Sequence, residues 1–347
     1  MQIHSGSLAP LSAVTVDAPA RLHLGFLDPN GSLGRAFGSV GLTIDERGTR
    51  ITMRLADALR VDGTRSDAER ARVEGYVEAL CATWSGPPVS IDVQHAPRAH
   101  TGLGSGTQLA LAIGTAYARL AGRSSGSAEI ARILGRGARS GIGMLGFDHG
   151  GFLVDGGPAH PGEGSGHFHT DVPPLLFRQP FPDAWRILLV DDTTREGLHG
   201  DAEKRGLASL APFPQALAAH LCHLVLLRIL PGIAESDFDA FADGITEMQQ
   251  TIGEYFAPVQ GGVFSSPTVA ATLEAVAARQ TAGIGQTSWG PTGFAFVRNT
   301  EEAARALAAA QDASRGKSGI ACSIVTGRNR GASLRAVDLQ QCGIDAQ

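Results

Sequence analysis

Gly102-Leu103-Gly104-Ser105-Gly106-Thr107 is a glycine-rich turn that runs directly into an apolar, alanine-rich helical pattern over 107–120. Glycines reach backbone angles closed to other residues, so main-chain N–H groups can be turned toward one point. A helix starting at the end of such a turn adds its own unpaired N–H groups and the positive end of its dipole. Residues of these types at this spacing are suited to holding an oxyanion, a phosphate first of all. No Lys follows and the glycine spacing differs, so this is neither a GxxxxGK[ST] loop nor a dinucleotide GxGxxG. The plainer reading of the same residues is a structural glycine turn before a buried helix.

A phosphate turn works only if rigid elements hold it. Residues 89–93 alternate as a strand leading into the turn, and helical periodicity covers 67–83, 107–120 and 127–138. Upstream, 14–16 and 21–27 read as two strands separated by Ala18-Pro19-Ala20, and 40–44 and 51–55 as two more. Ser140-Gly141-Ile142-Gly143 opens a second glycine cluster, and a short strand falls within 150–157. The Gly-, Pro- and His-rich stretch 158–182 reads as a connection between domains. Beyond it, 185–191 is a buried strand, helices are expected over 213–230, 236–255, 267–279 and 301–315, and strands over 293–298 and 319–325. Strands mixed irregularly with helices predict an α+β fold. A chain of 347 residues has room for two domains, expected at 1–180 and 181–347.

Composition excludes several functions. A net charge of −5 lacks the basic excess of a nucleic-acid surface. With 43% hydrophobic and 18% charged residues the chain reads as globular and soluble. No segment approaches the run of 18 to 20 apolar residues that spans a membrane, and no signal peptide is evident. Cys81, Cys222, Cys322 and Cys342 are scattered without a CxxC pair, as free thiols in a reducing compartment would be. The expected location is the cytoplasm. Glycine accounts for 45 of 347 residues, nearly twice the usual share of about 7%, and its clusters suit loops that approach a ligand closely.

Pro97, four further residues and then the 102–107 turn, behind a strand and before a helix, resemble the phosphate-binding motif of the GHMP kinase superfamily. Three more segments narrow the resemblance: Ala18-Pro19-Ala20-Arg21-Leu22-His23-Leu24-Gly25-Phe26-Leu27-Asp28, Gly146-Phe147-Asp148-His149-Gly150-Gly151, and Gly283-Ile284-Gly285-Gln286-Thr287-Ser288-Trp289-Gly290-Pro291-Thr292. Together they are similar, over nearly the whole chain, to the β-ribofuranosylaminobenzene 5′-phosphate synthase branch. The resemblance implies a two-domain GHMP-kinase-like architecture, with a ribosomal-S5-like N-terminal domain and a ferredoxin-like C-terminal domain. It implies a decarboxylating pentosyltransferase that joins 5-phosphoribosyl 1-diphosphate to 4-aminobenzoate in tetrahydromethanopterin biosynthesis, with Mg2+, without ATP, as a homodimer.

Departures from the kinases matter equally. A second kinase serine, a magnesium ligand, is replaced here by Gly106, and Ser140-Gly141 lacks the Asp that commonly follows such a pair. Phosphoryl transfer needs a metal on the phosphates and a positioned nucleophile, so a small-molecule kinase is the second reading. A binding protein that has lost its chemistry is the third.

The resemblance then assigns roles. Gly102, Leu103, Gly104, Ser105, Gly106 and Thr107 would hold a phosphate or the diphosphate. Arg21 would be a fork for a carboxylate or phosphate oxygen. His23, two residues on and so on the same strand face, would orient the acceptor ring or move a proton. Trp289 would stack on the aromatic acceptor or else anchor the core. Gln286, Ser288 and Thr292 would offer neutral hydrogen bonds, and Asp148 and His149 would bind magnesium or phosphate or else be exposed turn residues. Ile187 to Gly197 is also similar to the two-acid motif of type I phosphoribosyltransferases, which would give Asp191 a ribose, although the default for it is structural. His199 and Glu203, four apart, would reach the cleft from one helix face. His160, His167 and His169 read as a surface loop, and His220 and His223 as part of an apolar, buried helix or a subunit interface.

Overall fold

The computed structural model describes residues 11–159 and 172–338; His160, His167, His169 and Cys342 lie outside them. The first part contains β1 (Leu11–Asp28), β2 (Phe37–Leu55), β3 (Arg60–Asp62), α1 (Asp67–Trp84), β4 (Val89–His95), α2 (Ser105–Leu120), α3 (Ser127–Ile133), α4 (Ile142–His149), β5 (Phe152–Asp155) and β6 (Leu175–Gln179). The second contains β7 (Arg186–Asp192), α5 (Gly200–Ser209), α6 (Gln215–Leu224), a π-helical turn (Val225–Ile229), α7 (Leu230–Glu235) and α8 (Phe238–Gln260). After these come α9 (Pro267–Ala277), β8 (Gly283–Gln286), β9 (Thr292–Val297), α10 (Thr300–Ala313), β10 (Ile320–Val325) and β11 (Ser333–Asp338).

Two sheets organise the molecule. The first has the order β11-β1-β2-β4-β3, with β5 added to β2 and β6 to β5; the second has the order β10-β7-β9-β8. The chain leaves the first sheet after β6 and returns to it with β11, which pairs antiparallel with β1. β1 and β2 are single long strands where the sequence suggested two pieces each. Pro19 cannot donate to a ladder, and the register skips it between Ala18 and Ala20, while β2 bulges so that Ala18 faces Thr49 and Ala20 faces Ile44. The strand therefore bends without ending, and Arg21 and His23 sit just past the bend.

The short strands β3, β6, β8 and β11 were not expected, and β6 lies inside the stretch read as a connection. Glycines explain where α3 ends. α3 stops at Ile133, not 138, because Gly135 (φ 64°) and Gly137 (φ 83°) take left-handed angles. Residues 134–141 thereby become a loop. α4 was not foreseen, because it starts inside a glycine cluster; of α5 only a helix start carrying His199 and Glu203 was expected, since it has no buried residue to mark an apolar face.

A core containing Leu22, Leu24, Leu42, Phe181, Trp185, Phe241, Phe294 and Phe296 joins both sheets to α8. Gln215–Glu235 is one continuous helical run, long and apolar enough by length and composition to cross a membrane. It is not buried all round, as its apolarity had suggested. Leu221, Leu224, Val225, Ile229 and Ile233 enter the core, Leu226 and Leu227 are exposed, and Arg228 and His220 pair with Glu247 of α8.

Asp155 at the end of β5 is fully buried. Its Oδ2 accepts from the Gly141 N–H (2.9 Å) and the Ser140 hydroxyl (3.4 Å), and its Oδ1 from the Gly157 N–H (2.8 Å). Burial pushes its carboxyl up to about 6, against the pull of those bonds. The folded carboxyl thus holds its proton more tightly than the unfolded one, so protonation favours the fold. Its contribution improves as pH falls from about 6 to the unfolded value of 3.8, and above 6 the ionised group costs on the order of 2–3 kcal/mol. Denaturant unfolding at pH 7.5 and pH 4.5 will show that gain in the wild type and not in Asp155→Asn. Parallel pH profiles for the two proteins would refute the assignment.

Candidate active site

The bend in β1, the start of α2, the 134–141 loop, the segment leading into α5 and the turn 287–290 enclose a cavity of ≈ 500 Å³. Arg21 and His23 reach it from β1, as their i, i+2 spacing requires. The 102–107 turn forms one wall. Gly102 (φ 87°) and Gly104 (φ 77°) are both left-handed, and no side chain caps α2; the Thr107 N–H donates to the Gly104 carbonyl (3.1 Å), which leaves those of Ser105 and Gly106 for a ligand.

Arg21 is the central group. Its backbone N–H donates to the Leu103 carbonyl (3.1 Å), and its guanidinium donates to the Gly102 carbonyl, which fixes strand and turn together. Among the described residues no carboxylate pairs with it, and burial lowers its pKa to about 10. A partly desolvated, unpaired guanidinium carries a cost, and an anionic ligand is the partner that would offset it. Beside it, His23 is 5% exposed and its Nε2 has no hydrogen-bond partner. Burial first, then the Arg21 charge, drives its pKa down to about 3. The ring is neutral at physiological pH and can give or take one hydrogen bond at Nε2.

Thr287 ties this pair to the second half of the chain. Its hydroxyl donates to the Gly102 carbonyl (2.9 Å) and accepts from the His23 N–H (2.9 Å), while the Ser288 N–H donates to the His23 carbonyl (3.0 Å). Trp289 lines the cavity, edge-on to Phe256 at 4.7 Å, and its indole N–H donates to Glu203 (2.9 Å). Glu203 also receives a two-pronged bond from Arg139 at 2.6 and 3.1 Å. Phe26 packs against His23 at 4.7 Å and faces the same space.

Other expected residues lie elsewhere. Thr292 is buried in β9 and donates to Asp191 (2.6 Å). Asp191 also lies 3.5 Å from the Arg47 guanidinium, and it does not line the cavity. Asp148 and His149 are exposed at the end of α4, away from the cavity; partial desolvation of the Asp148 carboxyl by its neighbours raises its pKa, against the bond donated by Ser127. Gln286 does not line the cavity. It braces the 287–290 turn by accepting from the Ser265 N–H (2.7 Å) and donating to the Ser288 carbonyl (3.2 Å). It also borders an adjoining recess of ≈ 40 Å³ with Phe26, Ile252 and Phe256. A benzene-sized guest needs a space nearer about 150 Å³, so an aromatic ligand would have to sit in the larger cavity.

The structure adds Arg72, Arg136, Arg139 and His100 to the lining. Arg136 lies over Tyr76 at 5.4 Å, and a Cβ at Gly106 would stand 3.8 Å from its Nη1. Four arginines thus face one carboxylate, Glu203, which Arg139 already neutralises. The doubled left-handed glycines at 135 and 137 were the one available signal for the loop that carries two of them. Among the described residues no cluster of three His, Cys, Asp or Glu side chains forms a metal site. The positive charge that the lining offers comes from guanidinium groups and N–H dipoles.

Glu203 holds one group from each half of the molecule. Glu203→Ala leaves Arg139 without a counter-charge and the Trp289 indole without an acceptor. Catalytic efficiency is expected to fall roughly 10- to 100-fold. A double-mutant cycle with Arg139→Ala should show coupling above about 1 kcal/mol, and additive losses would disprove the link.

This architecture is that of the GHMP kinases. The model for the GHMP kinases N terminal domain matches residues 71–152, and that for the GHMP kinases C terminal matches residues 229–315. Homoserine kinase from Cytophaga hutchinsonii superposes with a TM-score of 0.60 at 16% identity, over 96% of this chain and all of that one. Mevalonate-3-kinase from Thermoplasma acidophilum gives 0.59 at 13% identity, over 94% and 99%. Among curated proteins, a β-ribofuranosylphenol 5′-phosphate synthase from Methanothermobacter thermautotrophicus is 32% identical over 92% of this chain and 98% of its own. Another from Archaeoglobus fulgidus is 34% identical over 67% and 74%. The chain belongs to the β-ribofuranosylphenol 5′-phosphate synthase family.

Proposed function

We propose that the protein is a decarboxylating phosphoribosyl transferase that joins 5-phosphoribosyl 1-diphosphate to a para-substituted benzoate, in the route to tetrahydromethanopterin. One observation carries the reading: Arg21, Arg72 and Arg136, none paired with a carboxylate among the described residues, surround a turn of N–H donors in a cavity shared with Phe26 and Trp289. Such a site suits an anionic sugar phosphate and an aromatic acid together. As the bond between the anomeric carbon and the diphosphate oxygen breaks, diphosphate leaves with the electron pair. The 102–107 N–H groups and the neighbouring arginines stabilise the charge it gains. The ring carbon bearing the carboxylate then bonds to the anomeric carbon. Loss of CO2 returns the carbon–carbon bonding pair to the ring and restores aromaticity.

Arg21 takes the acceptor carboxylate or a phosphate oxygen, and neutral His23 bonds to the ligand through Nε2. The acceptor is 4-aminobenzoate or its hydroxyl counterpart, 4-hydroxybenzoate. The relatives are named for a phenol product, which makes the hydroxyl acid the direct rival. Carboxyl-labelled 4-amino- and 4-hydroxybenzoate, each incubated with phosphoribosyl diphosphate and magnesium but no ATP, decide the matter. CO2 release that needs both substrates supports the transferase, and the ratio of the two rates names the acceptor. No release, with ATP consumed against a panel of alcohols, would return the protein to the kinases.

A further inference from the structure

At the mouth of the cavity two imidazoles from distant parts of the chain lie face to face. His100, on the approach to the phosphate turn, stacks on His199, just before α5, with ring centroids 3.5 Å apart and planes 16° apart. The contact is built, not incidental. The Gly197 N–H donates to the His100 carbonyl (2.8 Å), and His100 holds a left-handed backbone at φ 60°. Gly197 lies so close to the Gly290 carbonyl, 2.3 Å from where a Cβ would be, that no side chain could follow it there.

Tautomer and surroundings say what the stack can do. His199 Nδ1 lies 3.0 Å from the Gly197 carbonyl. A carbonyl only accepts, so Nδ1 carries the hydrogen and the neutral ring presents a bare lone pair at Nε2. A phosphate oxygen would be repelled by that lone pair and attracted by the same nitrogen once protonated. The charged groups facing His100 are His199, Arg72 from α1, Arg136 from the 134–141 loop and Glu196. Burial, the adjacent His199 ring and the two arginines disfavour a proton on it, and only Glu196 opposes them. A polyanion entering among those arginines reverses the balance. The stack then accommodates one proton and not two, because an imidazolium is stabilised by a neutral ring against it and repelled by a second cation.

We propose that the His100–His199 stack is a proton-accepting element of the anion site, which takes up one shared proton when a diphosphate binds and so becomes a further cationic ligand for it. This rests on the reading of the cavity as a phosphate and diphosphate site. It gives the leaving group a partner whose charge appears only when the group is present, beside arginines whose charge is permanent.

Calorimetric titration of the full chain with inorganic diphosphate, at pH 7 in two buffers of different ionisation enthalpy, counts the protons taken up. His199→Asn and His100→Asn remove one ring each, and asparagine tolerates the left-handed angle at position 100. The wild type should take up more protons than either variant, by up to about one. Its affinity should fall more steeply between pH 6 and 8.5, by up to roughly tenfold relative to the variants. Titration of diphosphate itself is common to all three proteins and cancels in the difference. Equal proton counts with binding intact would overturn this proposal and leave the anion site standing. Absence of binding heat in all three would overturn both.

Discussion

Arg21→Ala will lose roughly 10²- to 10³-fold in kcat/KM while the protein unfolds at the same temperature as the wild type or a higher one. The pairing of these two results is the point of the experiment. Arg21 is partly buried and has no carboxylate partner among the described residues, so the free protein carries a charge it has only partly compensated. Removing the side chain strands nothing, because the Gly102 carbonyl it contacts still accepts from the Thr287 hydroxyl at 2.9 Å. The loss falls on the ligand, whose carboxylate or phosphate oxygen would meet a void in place of a planar fork. Arg21→Lys restores the charge as a point and should recover only part of the rate. Steady-state kinetics with phosphoribosyl diphosphate and the benzoate, beside thermal unfolding, give both numbers. Full activity in the alanine variant would remove Arg21 from the chemistry, and a large drop in Tm would make its role structural.

The parts of the site that were legible in the sequence are those where chemistry and local geometry share one segment. The 102–107 turn declares itself through its glycines at 102 and 104, whereas Arg21 and His23 were singled out by the family resemblance, strand alternation adding only that they share one face. Arg72, Arg136 and Arg139 could not be read this way. Each is an ordinary arginine in its own segment, and only the early end of α3 and the folding of the 134–141 loop bring the latter two to the cavity. The opposite error occurred at Asp148, His149 and Thr292, which sit within conspicuous motifs. A motif shows that a segment matters but not which side of it faces the ligand: Ser288 and Trp289 face the cavity, while Thr292 in the same motif faces Asp191. For the fold, bulges in β1 and β2 let strands run through a proline and a polar stretch that looked like ends. In the second sheet β7, β9 and β10 were plain, whereas the short, glycine-rich β8 was missed and only the start of α5, which buries nothing, was read.

Gly102 and Gly104 share a left-handed backbone, yet alanine will act differently at each. At Gly102 a Cβ would stand 2.4 Å from the Thr287 carbonyl oxygen and 2.9 Å from its Cγ2. Backbone cannot yield to that contact without moving the turn, and moving the turn breaks the Thr287 bonds that bind it to His23. Strain at φ 87° and the clash together should cost Gly102→Ala about 2–4 kcal/mol of stability, with activity down at least 100-fold. At Gly104 the new Cβ would meet only the Arg21 side chain, at 3.0 to 3.1 Å from its Cγ, Cζ and Nε. A side chain can shift by the few tenths of an ångström required, so Gly104→Ala should lose only about 1–2 kcal/mol, mostly from the backbone angle. Its activity should still fall, roughly tenfold or more, because the group that shifts is the fork itself and a misplaced catalytic contact is expensive. Denaturant unfolding and kcat/KM on both variants separate the cases. If Gly104→Ala kept full activity, the Arg21 guanidinium would not need the position it has, and the assignment of the anion to that fork would fall with it.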